Sequence, residues 1–105
     1  MTYEVRFLLP AEKEFYRLPK PLQRQFREVL PYLGANPYRS HPFLQVRGVG
    51  QDPGVWRFPL GGYRVFFLVD GRTVWIGKFW PRPTAYDKAH LRELRRVFHS
   101  SRTGR

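Results

Sequence analysis

The stretch from Val55 to Phe79, VWRFPLGGYRVFFLVDGRTVWIGKF, decides the fold. It holds two dipeptides, Gly61-Gly62 and Asp70-Gly71, of the kind that closes a two-residue β-hairpin. Aromatic and β-branched residues fill the runs between them, as strands favour. Both turns together predict a three-stranded antiparallel meander with a definite register. Leu60 is set opposite Tyr63, Phe58 opposite Val65 and Trp56 opposite Phe67. In the second hairpin Val69 is set opposite Arg72, Phe67 opposite Val74 and Val65 opposite Ile76. One face then collects Trp56, Phe58, Leu60, Tyr63, Val65, Phe67, Val69, Val74 and Ile76, which reads as a core face. The other collects Arg57, Pro59, Arg64, Phe66, Leu68, Thr73, Trp75, Gly77 and Phe79. Arg57 and Arg64 are diagonal neighbours there, and a slip of one residue would send every side chain to the opposite face. Lys78 falls on the core side at the strand end, where a long side chain snorkels out.

Outward from the meander, Thr2 to Leu9 alternates and then turns apolar, which predicts a strand. Pro10 opens a short helix over Ala11 to Leu18, stopped at Pro19-Lys20-Pro21. Leu22, Phe26, Val29, Leu30 and Leu33 recur at helical spacing and predict a second helix to about Gly34, kinked or ended early by Pro31. Such a tight pair forms a helical hairpin whose apolar stripe covers the core face. Glu12 and Glu14 read as solvent charges on the first helix. A short strand is expected around Phe43 to Arg47, followed by a loop over Gly48 to Gly54. A last helix begins near Thr84, with Leu91, Leu94, Val97 and Phe98 on its apolar side. The fold class is therefore α+β: an N-terminal strand, a helical hairpin packed on a mainly antiparallel sheet with a three-stranded meander, and a C-terminal helix. A single domain over residues 1–99 with a polar, flexible tail at 100–105 completes the expectation.

Charge narrows the function. Nineteen Lys and Arg face eight Asp and Glu, for a formal +11. Such an excess repels itself and calls for a polyanionic partner. Arg supplies 15 of the 19 cations, and its planar fork suits phosphate. With no Cys, disulfides and thiolate metal sites are excluded, in keeping with a reducing compartment. His41, His90 and His99 lack metal-ligand spacing. Neither a signal-peptide core nor a run of ~20 apolar residues is present, so a cytoplasmic protein with no membrane partner is expected.

The motifs add a resemblance. Val46-Arg47-Gly48 stands before the meander like the Leu-x-Gly of the RelE/ParE toxin superfamily. Val55-Trp56-Arg57-Phe58 followed by Gly62-Tyr63-Arg64-Val65-Phe66-Phe67 resembles its basic strand and its Gly-Tyr-Arg strand. Gly77-Lys78 through Arg82 to Tyr86-Asp87-Lys88 resembles the segment that leads to a Tyr at the start of the last helix. The resemblance runs to about Phe98 and implies a RelE-like fold and a toxin held by a cognate antitoxin on a separate chain. RelE-type members cut mRNA on the ribosome as metal-independent endoribonucleases; ParE-type members inhibit DNA gyrase and cut nothing. Arg57, Arg64 and Tyr86 fall on positions that RelE-type enzymes use for catalysis, and Arg82 matches a basic residue four before the Tyr. No cofactor is implied. Arg82, Lys78, Trp75 and Phe66 complete the expected RNA-binding set, the rings as stacking surfaces. Two departures stand out: Val55 occupies a position often basic in RelE-type members, and Phe79-Trp80-Pro81 replaces a denser basic run. A non-catalytic RNA- or ribosome-binding domain is the remaining alternative.

Overall fold

In the computed structural model, which describes residues 2–42, 44–49, 54–81 and 88–103, Gly61-Gly62 turns β3 (Val55–Leu60) into β4 (Tyr63–Asp70). The pairing runs from Leu60–Tyr63 to Val55–Leu68, as the turn chemistry predicts. The second turn differs. It consists of Gly71 and Arg72, so Asp70 pairs with Thr73 and β5 (Thr73–Pro81) slides by two residues against the expected register. Gly71 has φ +60°. A tight hairpin turn that needs its left-handed residue in the first central position takes Gly there at no steric cost, whereas centring the turn on Asp70-Gly71 would put Asp in that position.

A slide of two keeps every side chain on its face, and Phe67 meets Ile76. A β-bulge then breaks the count: Phe66 pairs with Lys78, Val65 with Phe79 and Arg64 with Trp80, leaving Gly77 as the extra residue. Two expectations are corrected as a result. Phe79 belongs to the core face, within ring-stacking distance of Phe7, Phe15 and Phe26. Lys78 and Trp80 belong to the other face.

The five-stranded sheet has the order β1-β5-β4-β3-β2. β1 (Glu4–Phe7) runs parallel to β5, and β2 is only Arg47–Gly48. The strand expected near Phe43 is thus displaced towards Gly48; Leu44 forms an isolated bridge with His41 instead. α1 (Leu9–Arg17) and α2 (Lys20–Ala35) form the expected hairpin. Buried Gln23 fixes its corner by donating to Leu18 O at 2.9 Å and Tyr16 O at 3.4 Å, the orphan carbonyls at the end of α1. α2 continues through Pro31, which lies on its exposed side, so the helix neither ends nor loses its apolar stripe there. Phe15, Phe26, Val29 and Leu33 pack on Phe58, Val65, Phe67 and Ile76 to make the main core.

α3 (Lys88–Thr103) covers part of the opposite face and extends into the segment expected as tail. Leu94 and Phe98 seat on Phe66, Leu68, Val55 and Trp80, a second apolar cluster. Gly77 permits that approach: a Cβ there would lie 2.5 Å from the Phe98 ring.

Candidate nucleic-acid interface

β3 and β4 present the arginines. Arg57 pairs with Phe66 and Arg64 with Pro59, so both guanidinium groups leave the same face of the sheet, one pairing step apart on the diagonal. Both residues are half-buried. Arg64 Nη1–H donates to Tyr63 O at 3.3 Å, which holds the planar group against the strand. Its Nε is buried and has no hydrogen-bond partner among the described residues.

β2 adds a residue that sequence reasoning did not single out. Arg47 lies directly opposite Arg57 in the antiparallel pair and is exposed. Arg47, Arg57 and Arg64 thus share one face across three neighbouring strands. Like charges set opposite each other weaken a sheet, and an anion between them reverses the sign. The motif around Arg47 was visible in the sequence, but a two-residue strand has too little pattern to reveal its register.

Two candidates need correction. Phe66 has no accessible surface; Trp80 meets it edge-on at 5.4 Å, and it lies in the cluster closed by Leu94 and Phe98. It cannot stack on a base beneath α3. Lys78 is only 8% exposed, with Nζ 3.3 Å from Glu14 and 3.2 Å from Glu93 and 5.4 Å above the Trp80 ring. It joins α1 to α3 rather than facing solvent. Glu14 is accordingly no solvent charge: its other oxygen accepts the Phe79 N–H at 2.9 Å, closing the β5 edge beyond the end of β1. Trp75 stays on the expected face, half-buried, with the Arg6 guanidinium 6.0 Å from its ring. Tyr86 and Arg82 lie outside the described residues. The chain enters their segment beside the site, because Trp80 pairs with Arg64 and Pro81 with Tyr63. Val55, at the position often basic in RelE-type enzymes, is buried in the second cluster.

No group of three metal-binding side chains occurs among the described residues. No helix among them is long and apolar enough to cross a membrane.

This arrangement, a strand and helical hairpin against a meander whose outer face carries arginines, is the RelE-like fold of toxin proteins. A free-state mutant of the Escherichia coli toxin RelE has it too, with a TM-score of 0.72 at 19% identity over 91% of this chain and 97% of that one. The chain belongs to the ParE toxin family of type II toxin–antitoxin systems, whose family model matches residues 5–86, within the RelE/ParE superfamily. The archaeal RelE–RelB complex from Pyrococcus horikoshii is similar at 29% identity, with a TM-score of 0.66 over 78% of this chain and 97% of that one. A toxin–antitoxin complex from Mycobacterium tuberculosis is similar at 23% identity, with a TM-score of 0.64 over 78% of this chain and 100% of that one. No curated protein matches.

Proposed function

We propose that this toxin cuts messenger RNA on the ribosome in the cytoplasm, by attack of the substrate 2'-hydroxyl on the adjacent phosphate. That reaction needs the hydroxyl deprotonated, the leaving 5'-oxygen protonated and the added negative charge stabilised, and none of these steps requires a metal. Arg57 and Arg64 hold the scissile phosphate. Tyr86 is the acid or base. Arg82 positions the strand and Trp75 offers a ring for stacking. A cognate antitoxin on a separate chain restrains the activity.

The observation that carries this reading is the shared face of Arg57 and Arg64 on neighbouring strands. Arg47 supports it further, since it supplies beside Arg57 the second cation that Val55 does not. The test is cleavage of mRNA on translating ribosomes by wild type, Tyr86→Phe and Arg64→Ala. Each substitution is expected to lower the rate by about 100-fold or more. Undiminished cleavage by both variants would sink the assignment.

A second reading, a gyrase inhibitor without nuclease activity, is favoured by the family model that matches and by the inward turn of Lys78. Inhibition of DNA supercoiling by the purified toxin, with intact mRNA on ribosomes, would establish it.

A further inference from the structure

The sheet edge beside the arginines opens into a groove that the proposed chemistry does not use. β2 pairs with β3 only at Arg47–Arg57 and Gly48–Trp56. Two residues further along, the same register would set Gln45 opposite Pro59, where the next pair of ladder bonds would fall. Proline has no N–H for that rung, so the ladder ends. Ser40 holds the departing chain instead: its Oγ accepts the Val46 N–H at 2.9 Å and donates to Val46 O at 3.2 Å. The β3–β4 turn is pressed on α2, since a Cβ on Gly61 would lie 2.6 Å from Leu22 Cδ2. Between turn, loop and α2 lies a groove of about 800 Å³, within the roughly 300–1,000 Å³ of small-molecule sites.

Two observations say what the groove can hold. It is continuous with the arginine face, because Pro59 lies opposite Arg64, two residues from Arg57, and also lines the groove. Gln45, two residues from Arg47, lines it as well. A strand whose phosphate rests on Arg57 and Arg64 therefore has a neighbouring base beside the opening. The chemistry of the walls is the second observation. Among the described residues that line the groove there is no cation, in a chain of formal +11. It is thus no second phosphate site. Gln25, Glu28 and Tyr32 stand on one stripe of α2 and bring an amide, a carboxylate and a phenol; Gln45 faces them with a second amide. Such groups read the edge of a base, while proline and Tyr rings pack on its face. An ionised carboxylate only accepts. It suits the exocyclic amine of cytosine, adenine or guanine and repels the paired carbonyl oxygens of uracil.

We propose that this groove is a base subsite for the RNA strand held by Arg57 and Arg64, and that Glu28, with Gln25 and Gln45, selects a base with an exocyclic amine over uracil. The inference rests on the proposed phosphate role of the two arginines and adds to it a choice of sequence. Pro59 is the shared wall between the phosphate and base positions.

The test uses the full chain with fluorescein-labelled hexacytidylate and hexauridylate, whose bases differ only at the pairing edge, and reads affinity by fluorescence anisotropy. The wild type is expected to bind the cytidine strand at least about fivefold more tightly than the uridine strand. Glu28→Gln is expected to bring that ratio within about twofold, because an amide donates as well as accepts. Loss of a negative charge strengthens the binding of any polyanion, so the ratio decides and not the affinity. Glu28 is exposed, and its substitution leaves the core untouched. Arg64→Ala is expected to weaken both strands by a similar factor and to leave the ratio unchanged. Equal binding of the two strands by the wild type overturns the base subsite, as does a ratio untouched by Glu28→Gln; weaker binding by Arg64→Ala would then still support the phosphate role. A ratio that persists while Arg64→Ala binds as tightly as the wild type keeps the subsite and overturns the phosphate role. Binding of neither strand overturns both.

Discussion

Lys78 shows how one residue's role depends on a single inserted position. By alternation from Ile76 it belongs to the core face, and by resemblance it belongs to an RNA-binding set. The bulge at Gly77 gives it neither place; it sits between Glu14 of α1 and Glu93 of α3. Glu93 is 40% exposed, so that half of the bridge is screened and weak. Lys78 itself is nearly buried, and its removal leaves the Glu14 carboxylate with the Phe79 N–H but without its cationic partner. Lys78→Ala is therefore expected to cost about 1–3 kcal/mol, read as a lower midpoint in urea unfolding. Unchanged stability would mean the bridge contributes nothing to the fold. The arginine pair was legible from the sequence for a physical reason: a Gly-Gly turn fixes which residues of two adjacent strands face each other, and β3–β4 obeys it without interruption. Phe66 was placed on the right face but misjudged as accessible, since strand alternation says nothing about which helix later covers that face.

At the scale of elements, the helical hairpin and the meander could be read because each has a strong period and clear punctuation. What could not be read was β5. Two turns compete around Asp70-Gly71-Arg72, and the outcome depends on which residue takes the left-handed position. The bulge is equally silent in sequence, because Gly77 marks it only once α3 is known to press on it. That contact has a measurable consequence. The Cβ of Gly77→Ala would stand 2.5 Å from the Phe98 ring, so the helix must shift or the ring must leave its pocket. Overpacking of this kind costs about 1–3 kcal/mol. The double variant Gly77→Ala with Phe98→Ala should lose less than the sum of the two single losses, because the second truncation makes room for the first. Strict additivity in denaturant unfolding would show that Phe98 does not seat on Gly77.

The whole molecule is set by its charge. A formal +11 on 105 residues means that nineteen Lys and Arg share eight Asp and Glu, so cations outnumber the carboxylates that could match them; Arg6–Glu4 and the two pairs made by Lys78 are ion pairs of the described residues. Two opposing electrostatic terms therefore respond to salt. Screening weakens the attractive pairs, and it weakens the more numerous repulsions between cations. The repulsions should win, so the melting temperature is expected to rise between low and physiological ionic strength, the reverse of a protein held by surface ion pairs. Lys20→Glu with Arg24→Glu lowers the formal charge from +11 to +7, because each reversal removes two units from the total. That variant should be more stable at low salt and respond less steeply to added salt. Melting followed by circular dichroism across a sodium fluoride series reads both quantities. A melting temperature that falls with salt in the wild type would mean that the attractive pairs outweigh the repulsion between cations. The protein would then have no electrostatic need of a polyanion.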